Sequence, residues 1–407
     1  MSTPEPLLAG TTTRSTLLAR MLGAPWALRV SVVYLLSRVL TTTLLLLHAQ
    51  TQPITGYGQN PVGYLSISGA WDAAWYQWVA YHGYPSELPL DADGRVQQNS
   101  WAFMPFYPLL VRALSELTGF GWEHLAVTVS ALAGWGAALM LYKVLALRLD
   151  ASTAFFAVVL FCIAPLSPVL QIGYAEALQL FLLMTGLYLL MRRRYAWLFP
   201  LVVVLALTRP SGLALALMLG LYWLYRLRHR RSDAFERRES GTVIALGITS
   251  LAAALAWPAL AAASTGSLTA YTDTELSWRA AYIGPQHLLP FTPWFQAADW
   301  WFGFPAGLLI LVLVLAAFTA LLLTPAMRRL GPELTLWCIA YALYLLAFFF
   351  PQSSVFRLLM PLLPLLGVLA APRSLWYRIP LGLIMIAGQW WWMQACLHLG
   401  SSTWWVP

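Results

Sequence analysis

The sequence predicts an all-α polytopic membrane protein, and three observations carry that prediction. Hydrophobic residues make up 60% of the 407 and charged residues only 10%, where soluble proteins carry about 25% charge. The apolar residues gather in runs, many of them near the roughly twenty residues that a helix needs to cross a bilayer. The cations fall mostly between those runs, so the formal charge of +8 reads as a positive-inside pattern and not as a nucleic-acid surface.

Taken in order, residues 1–25 are mixed in character. The first span lacks an A-x-A end, so the expectation is a cytoplasmic N-terminal segment without a cleaved signal peptide. Apolar runs follow at approximately 26–48, 122–147, 152–170, 175–191, 196–208, 211–227, 241–263, 304–324, 333–350, 358–371 and 379–397. They amount to about eleven spans in a single transmembrane domain, 26–397. The runs 196–208 and 358–371 are short enough to be re-entrant or tilted. An N-in arrangement puts Arg14, Arg20, Lys143, Arg148, Arg192–Arg194, the cluster Arg226–Arg238, Arg328, Arg329, Arg373 and Arg378 inside. It leaves Arg95, Arg112, Arg209, Arg279 and Arg357 outside. Arg38 falls within the first span and should turn into the bundle.

Three outside segments are long or polar: a first extracytoplasmic loop at 49–121, a second at 264–303, and 351–357. A tail at 398–407 carries Trp404 and Trp405, a pair suited to the headgroup layer. The basic segment 226–240 mixes both signs of charge and reads as a solvated cytoplasmic connector. No repeat of 20–50 residues is visible, which excludes solenoids. The three cysteines, Cys162, Cys338 and Cys396, lie within or at the ends of apolar runs and read as small core residues. No histidine pair has zinc-ligand spacing. Asp273 and Glu275 are only a weak metal pair; no metal is required where arginines can hold an anionic substrate, and no cofactor is expected.

Within the first loop, Trp71–Leu110 concentrates the chemistry. In WDAAWYQWVAYHGYP, Trp71, Trp75, Trp78, Val79 and His82 recur at steps of three and four, which predicts a helix with one aromatic face lying at the membrane surface. Asp72 opens that helix, where the dipole favours a carboxylate. By itself this is also what a helix cap beside an interfacial aromatic belt looks like. Few ionisable residues sit at the outer ends of the spans, and that makes each informative. Glu176 lies in GYAEALQLF just after Tyr174, Arg209 in LALTRPSGL, and Arg357 in SSVFRLLMPLLP. All four should gather at one depth, where an acid can accept a proton while two guanidiniums hold an anion such as a phosphate. Structural pairing, Glu176 with Arg209 for instance, is the competing use of the same residues.

WDAAWYQWVAYHGYP followed by AFMPFYPLLVR resembles the signature of the PIG-V mannosyltransferases, the GPI mannosyltransferase II family and its bacterial relatives. The likeness continues through YAEALQLF, TRPSGL and FRLLMPLLPL, covering about 71–365 in order. Met104, Phe106 and Leu180 depart from the family's usual residues and touch packing more than chemistry. The resemblance implies a GT-C bundle whose first extracytoplasmic loop carries the catalytic acid on an interfacial helix. It also implies inverting transfer of a sugar, mannose above all, from a polyprenyl-phosphate donor to a glycolipid or glycan acceptor outside the cytoplasmic membrane. On that reading Asp72 is the general base, and Arg209 and Arg357 bind the donor phosphate. Tyr174 and Glu176 position substrate, and Trp71, Trp75, Tyr76 and Trp101 stack on sugars or guide the prenyl chain. A flippase of lipid-linked sugars, or a relative using another sugar, is the alternative. Membrane lipids are the expected surroundings; nucleic acid is not a partner, and no protein partner is implied.

Overall fold

A computed structural model describes residues 24–52 and 62–399. Arg14, Arg20, the tail pair Trp404–Trp405 and most of the N-terminal segment lie outside them. The described chain is all-α, apart from an isolated bridge between Leu90 and Val96.

Helix α1 (Trp26–Gln50) buries Val30, Tyr34, Ser37, Thr41, Leu45 and His48, a stripe at steps of three and four. Its other face exposes Leu35, Leu36 and Val39, as a helix between bundle and lipid should. A short α2 (Tyr64–Ser68) and α3 (Asp72–His82) follow, then a 3-10 turn at Ser100–Ala102. The amphipathic α4 (Phe106–Thr118) ends at Gly119, whose φ of 77° is the left-handed stop that glycine makes without strain. Then come α5 (Trp122–Ala146), α6 (Ala151–Ile163), a 3-10 turn at Ser167–Gln171, α7 (Glu176–Met191), α8 (Tyr195–Ala206), α9 (Gly212–Arg228) and α10 (Arg237–Thr265). The last third holds α11 (Ala270–Ile283), α12 (Pro293–Phe302), α13 (Ala306–Leu323), α14 (Pro325–Leu330), α15 (Pro332–Phe348), α16 (Val355–Leu358), a 3-10 turn at Met360–Leu362, α17 (Leu365–Leu369) and α18 (Leu375–Cys396). The broadest helix contacts are α5 on α7 and α10 on α9, with α15 against α9.

Among the described residues, α1, α5, α10 and α13 are long and apolar enough to cross a membrane; α6, α7, α8 and α15 are shorter apolar helices. Two of the expected eleven spans are therefore not continuous helices. The run at 152–170 stops at Ile163, because Pro165 and Pro168 remove backbone donors. At 1.5 Å per residue the remaining helix spans only about 20 Å. The run at 358–371 breaks into α16, a 3-10 turn and α17 around Pro361 and Pro364. These breaks leave irregular backbone inside the bundle, which is tolerable only where protein covers it.

Two loops are also more structured than expected. The segment 264–303 is mostly helix, α11 and α12. The basic segment 226–240 is not simply solvated: Arg226, 2% exposed, bonds Glu239 at 3.0 Å and stacks on Phe235 at 4.8 Å. Arg193 grips Asp233 at 2.6 Å, and Tyr195 donates to Glu239 at 2.6 Å. These bonds join the ends of α7, α8, α9 and α10 into a charged clasp. A mixed-charge run becomes ordered where its charges find partners on neighbouring helices.

Candidate active site

The site forms where the helical pattern is broken. Asp72 is the first residue of α3, Glu176 the first of α7, Arg209 lies in the gap between α8 and α9, and Arg357 is in α16. All four meet. Arg357 Nη1 lies 2.9 Å from Asp72 Oδ2 and 2.5 Å from Glu176 Oε1. Arg209 Nη2 lies 3.3 Å from Glu176 Oε1, and its Nη1 is 3.8 Å from Asp72 Oδ2. Two acids and two guanidiniums thus make a neutral cluster from segments as much as 285 residues apart.

Burial is uneven within it. The side chains of Glu176 and Arg357 are 1% and 4% exposed, against 17% for Asp72 and 13% for Arg209. Glu176 is the buried counter-charge that keeps two arginines in a low-dielectric site. Asp72 is the more exposed of the two acids.

Local backbone holds Asp72 in place. Trp71 sits at φ 58°, a conformation rare for a residue with a side chain; such outliers cost about 1–3 kcal/mol and gather at functional sites. Against the start of α3 lies Gly173, whose N–H donates to the Ser68 carbonyl at 3.0 Å. A Cβ on Gly173 would meet Ala73 Cβ and the Ser68 carbonyl at 3.1 Å each. Gly173→Ala is therefore expected to shift α3 by a few tenths of an ångström and lower any activity of the site roughly tenfold, since reactive geometry tolerates little displacement. An unchanged rate with unchanged melting temperature would show that α3 has slack. Upstream of Gly173, Arg38 does turn into the bundle. It donates to the Ser167 carbonyl at 2.8 Å, Gln171 Oε1 at 2.9 Å and the Cys162 carbonyl at 3.1 Å, tying down the turn that precedes Tyr174.

The aromatic residues divide. Tyr174 lies under Arg357, its ring centroid 4.9 Å from the guanidinium carbon. Tyr76, fully buried, accepts from Arg209 at 3.2 Å. Trp75 stacks on Phe103 at 5.5 Å and meets Trp278 edge-on at 5.7 Å. Trp71 is half-buried beside the same start of α3. Trp101 is set apart: its ring packs between Tyr84 and Trp257 at 4.7 and 5.1 Å, and its Nε1 donates to the Pro85 carbonyl. That geometry is one of packing. The aromatic stripe foreseen on α3 is not a single face either. Ala73, Tyr76, Val79 and Ala80 are its buried positions, while Trp78 is exposed and stacks on His82. The small alanines let α3 approach its neighbours, which a face of tryptophans would not.

Asp273 and Glu275 both lie on α11. Residues two apart on α11 point to different sides, and among the described residues no cluster of three metal-ligating side chains occurs.

No protein-family model matches the chain, and no curated protein does. Among solved structures, the archaeal oligosaccharyltransferase AglB from Archaeoglobus fulgidus, in complex with an inhibitory peptide and a dolichol-phosphate, aligns at 12% identity with a TM-score of 0.44. That alignment covers 89% of this chain and 54% of AglB. ArnT from Cupriavidus metallidurans, bound to undecaprenyl phosphate, aligns at 17% identity with a TM-score of 0.48, covering 87% of this chain and 62% of ArnT. The chain thus spans little more than half the length of AglB.

Proposed function

We propose that this protein is a GT-C-type membrane glycosyltransferase that moves a sugar, mannose on the motif resemblance, from a polyprenyl-phosphate donor to an acceptor hydroxyl with inversion. The observation that carries this reading is the charged cluster: one reachable carboxylate held against two largely buried guanidiniums at the edge of an apolar bundle.

The chemistry follows from charge bookkeeping. The donor is a phosphodiester with one negative charge; its leaving group, polyprenyl phosphate, carries a second. As the acceptor oxygen attacks the anomeric carbon, Asp72 takes the acceptor proton and becomes neutral, and the bond to the phosphate oxygen breaks. One negative charge therefore passes from Asp72 to the phosphate. Arg357, which holds Asp72 at 2.9 Å in the free enzyme, is placed to follow that charge, with Arg209 beside it. A planar guanidinium can hold two phosphate oxygens at once. Groups that bind the departing charge more strongly than the resting one lower the barrier. Glu176 stays in place as the fixed counter-charge. The arginines supply the cationic environment for the phosphate directly.

An apolar groove of about 320 Å³, lined by Pro105, Phe106, Leu109, Leu110 and Leu207, supports the lipid nature of the donor. Leu207 is two residues from Arg209, and its carbonyl accepts from the Phe106 N–H at 3.0 Å. On this reading the first isoprene units of a donor held at Arg209 would run along that groove.

The direct test is transfer by purified protein in lipid nanodiscs, with undecaprenyl-phosphate mannose and an acceptor glycolipid. Accumulation of undecaprenyl phosphate with an inverted product is the expected result; passage of the donor across the bilayer without transfer would establish the flippase reading instead. The proposed location is the cytoplasmic membrane with the site on the extracytoplasmic face. A reporter fused at Ala234 is accordingly expected to read cytoplasmic, and one at Asp91 external. The same side for both would reverse the topology of one segment.

A further inference from the structure

Helix α11 brings a second set of polar side chains toward the charged cluster. Its register is fixed by three anchors. Asn99 Nδ2 donates to Thr274 Oγ1 at 2.9 Å, Trp278 meets Trp75 at 5.7 Å, and Arg279 donates to the Phe348 carbonyl at 2.8 Å. Tyr271 and Glu275, one helical turn apart, consequently share a face. Trp278, three residues beyond Glu275, packs on Trp75 of α3, the helix that Asp72 opens, and Arg279, four beyond Glu275, bonds the end of α15, the helix that carries Tyr344.

Glu275 is not another member of the ion cluster. Burial pushes its carboxyl above the usual range, with only partial relief from Tyr271 and Arg279, and Arg279 gives its guanidinium to a backbone carbonyl. The function of the four-residue cluster makes no use of this carboxyl. A half-buried acid that has no ion pair among the described residues, one turn from the Tyr271 phenol and beside the Trp75–Phe103–Trp278 wall, has the chemistry that reads a sugar ring. The carboxyl and phenols bond hydroxyls, and the aromatic wall takes the apolar ring face.

We propose that Glu275, with Tyr271 and Tyr344, binds the hydroxyls of the donor sugar and so sets which sugar is transferred. The inference rests on the proposed function, which puts the donor phosphate at Arg209. The sugar bonded to that phosphate must lie within a few ångströms of it, and the Trp75–Trp278 contact puts α11 beside that position.

The experiment compares binding of undecaprenyl phosphate with binding of its mannosyl, glucosyl and galactosyl derivatives, using the full chain in nanodiscs. Wild type is expected to bind one hexosyl lipid more tightly than the bare phosphate. Glu275→Gln should weaken that hexosyl lipid roughly tenfold, the loss of one charge-assisted bond, and leave undecaprenyl phosphate unchanged. Tyr271→Phe should act in the same direction with a smaller effect. Retained affinity for undecaprenyl phosphate also reports that each variant is folded. Equal weakening of bare and hexosyl lipids would make Glu275 a brace of α11 and overturn the proposal. So would a Gln variant with unchanged affinities, or a wild type in which no sugar adds affinity; in these cases the phosphate site stands. A wild type that binds none of the lipids removes the proposed function and this inference together.

Discussion

Asp72→Asn should reduce sugar transfer by roughly a hundred- to ten-thousand-fold, the usual loss when a general base is removed. The variant should keep its fold. Asn has nearly the same size, and its side-chain oxygen can still accept from Arg357 as Asp72 Oδ2 does. Arg357 and Arg209 also retain Glu176, at 2.5 and 3.3 Å. The substitution leaves the cluster with one net positive charge, so donor affinity should hold or rise while turnover falls. That split separates a base from a mere partner of Arg357: loss of a structural ion pair would weaken donor binding and thermal stability along with the rate. Asp72→Glu moves the carboxylate by one methylene and should keep only part of the activity. Near-native turnover by the Asn variant would end the base assignment and leave Glu176 as the next acid to test. That residue is 1% exposed, a poor position from which to meet an acceptor.

Much of this site was legible from sequence because its residues violate the pattern around them. Glu176, Arg209 and Arg357 are charges at the ends of apolar runs, where a charge is costly unless paired or used, and Asp72 opens an aromatic helix in the loop between two such runs. Pro210 and Gly212 after Arg209, and Pro361 and Pro364 downstream of Arg357, announce the helix breaks there. The sequence could not say that all four touch, because pairing across 285 residues depends on how the helices stack. Nor could periodicity choose the buried face of α3. Aromatic and alanine positions alternate around that helix, and close approach selected the alanines.

Helix α11 escaped for a different reason. AYTDTELSWRAAYI is too polar for a span and too short to stand out as an amphipathic helix. Yet Tyr271, Glu275, Trp278 and Tyr282 follow steps of four, three and four, the one signal that would have located the face turned to the site. The run at 358–371, short enough to be re-entrant or tilted, breaks at Pro361 and Pro364; the run at 152–170 breaks as well, and there a continuous apolar composition masks the effect of Pro165 and Pro168.

Arg357→Met should destabilise the protein by about 3–5 kcal/mol, the cost of leaving a buried partner uncompensated. Glu176, 1% exposed, would keep only Arg209 at 3.3 Å, and Asp72 would lose its 2.9 Å contact. Adding Glu176→Gln to that variant removes the stranded charge, leaves Asp72 opposite Arg209, and should recover most of the lost melting temperature. Transfer should not recover with it. If Arg357 takes up the charge that leaves Asp72 for the phosphate, the double variant is a stable protein still lacking one of the two cations at the leaving group. Its rate should stay at least a hundredfold down, as for removal of a group that meets developing charge. Stability and turnover measured on wild type, the single variant and the double variant therefore separate two roles that coincide in one side chain. Should turnover return with stability in the double variant, Arg357 would be a brace for Asp72 and Glu176, and the phosphate would have to be held by Arg209 alone.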